Sequence, residues 1–214
     1  GNRTITALSL QQTPGLAHLT LQGLEELAAL SDLPPSLETV DLRGLSKLKG
    51  LPLLPASLRS LKVNHLPLTD LPPLPPLRRL EVGYCRALAA LPMLPAALEE
   101  LEVSQCPRIA TLPAVPAMAE GAWVKLSNLN LTTLDGLTRT RGMKRLRVYG
   151  LTKLTRVDLS RARSLETLSV TNSPELVRFR PPKSLTHLSF SGCPELQVHR
   201  LPGLPSLEIL TLSS

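Results

Sequence analysis

Aromatic side chains are almost missing from this chain, with one Trp, two Tyr and two Phe among 214 residues. A conventional core mixes aliphatic and aromatic shapes to fill irregular space at high density, so this scarcity excludes an ordinary mixed core. Cysteine is scarce as well: three residues, an odd number, none spaced from another as a zinc or disulfide motif requires. That predicts reduced thiols in an intracellular setting, with no cofactor and no metal. No apolar run approaches the roughly 20 residues of a membrane helix, because Pro, Glu or Arg breaks every stretch. Membrane insertion is therefore not expected.

What fills the space is leucine, 50 residues of it, punctuated by 21 Pro and 12 Gly. With 43% hydrophobic residues the chain is too apolar for a disordered proline-rich segment. One residue type at that frequency points to one packing environment copied many times. Residues 37–45 (LETVDLRGL), 58–66 (LRSLKVNHL), 77–85 (LRRLEVGYC), 98–106 (LEELEVSQC), 165–173 (LETLSVTNS) and 185–193 (LTHLSFSGC) superpose without gaps. Copies start at Leu16, Leu37, Leu58, Leu77, Leu98, Gly121, Met143, Leu165, Leu185 and Leu207, 19 to 23 residues apart. This is a leucine-rich repeat array of about ten units. It divides the chain into a partial copy in residues 1–15, around ITALSL at 5–10, and one solenoid domain over 16–214.

The L-x-L alternation predicts a short strand in each repeat, its leucines inward and the residues between them outward. Stacked repeats then give a curved parallel β-sheet on the concave side. The return segments read LPPSL, LPASL, LPPLPPL, LPMLPAAL and LPGLPSL, and proline fixes φ and removes a donor, so they should be extended or polyproline-like. Around 137–142 and 157–164 the prolines vanish and a short helical or 3₁₀ turn is expected. Position nine of each repeat holds Leu24, Leu45, Leu66, Cys85, Cys106, Leu129, Leu151, Ser173 and Cys193, so the three cysteines share one buried role as small hydrophobes.

No metal, phosphate-loop, dinucleotide or nucleophile-elbow motif occurs. His18 and His187 take equivalent positions eight repeats apart, about 40 Å at the usual strand spacing, and His65 and His199 are isolated. No catalytic residue is assigned. Positions three, five and seven face the concave side, and there Glu81, Glu100 and Glu102 adjoin Trp123, Lys125, Arg145, Arg147 and Tyr149, with Tyr84 at the rim. Trp, Tyr and Arg are the usual anchors of protein interfaces, so these nine residues form the predicted partner-binding patch. The plainer alternative is that Trp123 covers the irregular repeat at Gly121, which lacks its leucine.

Charge is localised too. Of 24 basic and 17 acidic residues, the stretch 138–180 holds eleven basic against three acidic. Arg139, Arg161 and Lys183 share position nineteen and Arg141 and Arg163 position twenty-one, which predicts a basic ladder on the outer, convex wall. Such a stripe attracts acidic protein, phosphate groups, anionic lipid or nucleic acid, or serves only as a solvated edge. Nucleic acid is disfavoured because the aromatics lie on the other face, and base stacking needs them beside the cations.

The LPxLPxxLxxLxV signature, as in 51–63 and 91–103, resembles the leucine-rich repeats of bacterial type III secretion effectors of the IpaH, YopM, XopL and PopC kind. It covers residues 33–117 well and the remainder loosely. SQCPRI at 104–109 and SGCPEL at 191–196 also look like repeats of plant intracellular immune receptors. The effector resemblance implies secretion by a bacterium into a host cell's cytoplasm or nucleus and recognition of a host protein, in several families as the substrate arm of an E3 ubiquitin ligase. The cysteine-dependent ligases carry Cys-x-Asp, whereas the three cysteines here begin Cys-Arg-Ala, Cys-Pro-Arg and Cys-Pro-Glu. The expectation is a non-catalytic protein-binding module, with any ligase domain outside these residues. The alternatives are that substrate arm or a plant receptor repeat domain. Neither end carries a polar cap, so the chain is expected to continue, or Leu210 and Leu212 to pack on another chain.

Overall fold

The computed structural model describes residues 5–115, 117–197 and 203–213. His199 lies outside them. Ten parallel strands build the main sheet: β2 (His18–Gln22), β4 (Thr39–Arg43), β5 (Ser60–Asn64), β6 (Arg79–Gly83), β7 (Glu100–Ser104), β8 (Ala117–Ser127), β9 (Arg141–Tyr149), β11 (Thr167–Thr171), β13 (His187–Ser191) and β14 (Ile209–Ser213), stacked in chain order. Each L-x-L segment became one strand, and residues at the same repeat position pair across every junction, as in Glu81↔Glu102 and Leu168↔Leu188. The fold is a leucine-rich repeat solenoid. Its inward residues, such as Leu61, Val63, Leu101, Val103, Leu168 and Val170, are fully buried in one continuous core.

The return segments are extended chain and turns, as their prolines demand. One 3₁₀ turn, Asp135–Leu137, overlaps the first of the two proline-free stretches. The second holds turns after a strand, β10 (Arg156–Asp158), which pairs with β12 (Arg178–Arg180) in a small sheet on the return side. A like pair joins β1 (Ala7–Ser9) to β3 (Ala29–Ser31). The partial copy in residues 5–10 therefore does not extend the main sheet; it matches the return half of the first full repeat. Phe179 of β12 and Phe190 of β13 are both inward, with ring centroids 5.2 Å apart and edge to face, tying the two layers together.

Position eight carries a rule the leucine pattern conceals. Gly23, Gly44, His65, Tyr84, Gln105, Asn128, Gly150, Asn172 and Gly192 all adopt the left-handed conformation, with φ between 51° and 66°. The N–H of each donates to the position-seven carbonyl of the next repeat at 2.9 to 3.2 Å. The left-handed turn ends each strand while keeping that donor paired, and it explains the Gly and Asn at this slot.

Position nine, directly after, is buried in seven of its nine occupants and partly buried at Leu24 and Cys193. The Cys85, Cys106 and Cys193 thiols lie 3.4, 3.2 and 3.5 Å from the position-seven carbonyls of Gly83, Ser104 and Ser191. Ser173, in the same slot, has a buried Oγ with no partner. Its shorter reach leaves a hydroxyl desolvated and unpaired, which costs on the order of 1 kcal/mol. Ser173→Cys is accordingly expected to stabilise the protein by about 1 kcal/mol, read as a higher urea midpoint at unchanged slope, and an unchanged or lower midpoint would show that the hydroxyl is satisfied.

Among the described residues the main-sheet register shifts between the repeats starting at Gly121 and Met143. β8 spans 11 residues and β9 nine, against five in the other strands of the main sheet, and their register slips on both sides of Ala122. Between Ala117 and Trp123 β8 carries two residues more than β9 does between Arg141 and Arg145, and Gly121, exposed and at φ 85°, lies in that stretch. Ala122 takes the inward place opposite Met143, and both are buried. At the other end of the array every residue of β14 is exposed, with Leu210 at 46% and Leu212 at 48%.

Candidate functional site

The concave face is set by strand register, so neighbouring repeats place equal positions side by side. At position three Arg79, Glu100, Trp123 and Arg145 are consecutive, and at position five Lys62, Glu81, Glu102, Lys125 and Arg147 are. The three carboxylates do converge. Each is held by a cation from an adjacent strand: Glu81 by Lys62 at 3.2 Å, Glu100 by Arg79 at 3.4 Å, and Glu102 by Lys125 at 2.7 Å. Asn64 Nδ2 also donates to Glu81 at 3.0 Å. These ions neutralise one another across strand boundaries, so little net charge remains for a partner in this part of the face. Lys62 and Arg79 belong to the site although the aromatic-centred reading passed over them. Adjacent-repeat register with opposite charge was the signal.

Trp123 stands between two different surroundings. On one side a depression of about 240 Å³ is lined by it with Lys62, Arg79, Leu80, Glu81, Glu100 and Glu102. On the other, a depression of about 180 Å³ is lined by Trp123, Val124, Arg145 and Arg147. Trp123 is half-buried, whereas Arg145, Arg147 and Tyr149 are exposed. Among the described residues neither arginine makes an ion pair. Inward packing at the bulge is supplied by Ala122 and Met143, so the indole does not fill the missing leucine's place.

Tyr84 is set apart from this group. Its left-handed backbone turns the ring onto His65 of the preceding repeat, the two stacked with centroids 4.2 Å apart and planes nearly parallel at 10°. Two bulky residues hold φ above 50° in consecutive repeats, a strained arrangement of about 1–2 kcal/mol each. His65 was missed because a lone histidine carries no spacing signal.

Four of the five residues of the basic ladder come together. Arg141 opens β9 in the main sheet, opposite Ala117, because the bulge lengthens both strands. Arg139, Arg141, Arg161 and Arg163 line one cleft, Arg141 at the start of β9 and the other three in the turns before β9 and β11. Lys183 does not line it.

Cys85 and Cys106 are fully buried, and the hydrogen bond between them lowers the Cys85 thiol while it raises that of Cys106. The adjoining Cys85 and burial together push the Cys106 thiol far up, and burial raises Cys193. Lys144 is held above its ordinary value by its bond to Glu166 at 2.9 Å. Among the described residues no three His, Cys, Asp or Glu side chains gather as a metal ion would require.

No family model matches the chain, and no curated protein does. Among solved structures it is similar to a leucine-rich repeat protein from Bacteroides ovatus ATCC 8483, at 12% identity and a TM-score of 0.44, over 98% of this chain and 79% of that one. At that identity no residue role passes between the two, and the site stands on this chain's own geometry.

Proposed function

We propose that the chain is a protein-recognition module whose concave face grips its partner at Trp123, Arg145 and Arg147. The observation that carries this is the half-buried indole between two depressions, flanked on one side by two guanidiniums with no internal counterion. Such a site suits a partner presenting an apolar knob beside carboxylates, because Trp and Arg bury large area and make directed charge-assisted bonds. The ion-paired Glu81, Glu100 and Glu102 hold the face in shape and give orientation more than affinity.

In this reading the partner is a host protein, and the chain is the target-binding part of a bacterial effector delivered into the host cytoplasm or nucleus. The support for that step is the LPxLP signature over residues 33–117. The chain itself acts by binding; a ligase domain elsewhere in the protein would make it a substrate arm.

The test is retention of host proteins from a cell extract by the immobilised chain, followed by titration of the retained protein. Trp123→Ala with Arg147→Ala is expected to weaken binding at least about tenfold, roughly 1.4 kcal/mol, as loss of a central anchor does. Binding undiminished in that double variant would sink the proposal.

A further inference from the structure

We infer a second, independent site: the arginine cleft binds a small polyanion carrying two or more closely spaced phosphate groups. The cleft has a volume of about 830 Å³ and is lined by Arg139, Arg141, Arg161 and Arg163 with Glu120, Gly142 and Ser164. That volume lies within the roughly 300–1,000 Å³ of small-ligand sites. Repeat register duplicates the cations, since residues 139 and 141 recur as 161 and 163 one repeat later. All four guanidiniums are exposed and, among the described residues, none makes a side-chain hydrogen bond or ion pair. Four like charges kept together with Glu120 as the one carboxylate among the lining residues repel one another, and a polyanion relieves that repulsion.

The lining gives the chemistry. All four cations are arginines, whose planar fork meets phosphate oxygens in pairs and is weakly hydrated compared with an ammonium. The single carboxylate, Glu120, is already approached by Lys144 at 3.7 Å. Ser164 Oγ accepts the Gly142 N–H at 3.1 Å, which leaves its hydroxyl proton free to donate into the cleft. The cleft sits at the bulge between β8 and β9, a device that re-aims side chains, and Arg141 opens β9 there. No aromatic ring lines it, so nothing stacks on a nucleobase. A phosphorylated headgroup and a free polyphosphate share the required chemistry.

Calorimetric titration of the whole chain with inorganic tripolyphosphate at about 0.15 M salt tests this. Saturable binding is expected, weakened at least roughly tenfold by Arg139→Ala with Arg161→Ala, and likewise by Arg141→Ala with Arg163→Ala. Far-UV circular dichroism should remain unchanged, because all four residues are exposed. Trp123→Ala with Arg147→Ala should leave tripolyphosphate binding intact, which separates failure here from failure of the concave-face reading. Sedimentation with vesicles containing phosphatidylinositol bisphosphate identifies a headgroup source if they bind with the same arginine dependence, and a soluble source if they do not. No saturable binding of tripolyphosphate, binding indifferent to the arginine variants, or tighter binding of single-stranded oligothymidine than of tripolyphosphate would each overturn the inference.

Discussion

Gly142→Ala is expected to destabilise the protein by about 3 kcal/mol, read as a lower urea midpoint at unchanged slope. Two costs combine. Gly142 has φ 80°, where an L side chain is strained by roughly 1–2 kcal/mol. A Cβ there would also lie 2.2 Å from the Met118 carbonyl oxygen and 2.8 Å from that of Ala119, both backbone atoms that cannot swing aside. Relieving that clash means displacing β8, an overpacking penalty of roughly 1–3 kcal/mol. Gly121 is the control, since its φ is 85° but nothing lies within 4 Å of its would-be Cβ. Gly121→Ala should cost only the conformational part, and equal losses at the two positions would refute the contact argument.

Leu101→Ala should cost as much or more, about 2–5 kcal/mol, because Leu101 in β7 is fully buried at mid-array and the rigid neighbours collapse only partly into the gap. In a solenoid each repeat is stabilised chiefly by the two beside it, so a lesion here also weakens the coupling between the halves. The unfolding transition is then expected to broaden, with a lower apparent slope. The same change at Leu210, 46% exposed in β14, should cost about 1 kcal/mol or less and leave the slope unchanged. A midpoint shift equal at the two sites would show that the array unfolds without regard to position.

The repeat starts, the inward leucines and the extended returns were legible in the sequence because each depends on a local pattern repeated about ten times. The concave positions were legible for the same reason: strand alternation alone puts Trp123, Arg145 and Arg147 outward. The ion pairs of Glu81, Glu100 and Glu102 were not read, although equal positions in successive repeats had already placed Lys62 and Arg79 beside them. The bulge at Gly121 showed only as a 23-residue interval with a leucine missing. Which residue is looped out depends on the packing of Ala122 against Met143, a contact no single repeat contains. The same irregularity places Arg141 within β9, opposite Ala117, which the numbering alone did not indicate. The return-side pairs, β1 with β3 and β10 with β12, escaped notice because three residues are too few for periodicity to register.

The column of left-handed residues at position eight separates what holds the repeats together from what they display. The bond at that station is made by a backbone N–H, so side chains as different as histidine, tyrosine and glutamine ride on it. Glycine and asparagine do so at little cost, whereas His65, Tyr84 and Gln105 occupy three successive stations at a strain of about 1–2 kcal/mol each. Surface chemistry along this rim is thus exchangeable one repeat at a time, with curvature and core left as they are. Each exchange is felt by the stations beside it, as in the His65–Tyr84 stack, and a Cβ at Gly150 would lie 2.2 Å from Asn128 Oδ1.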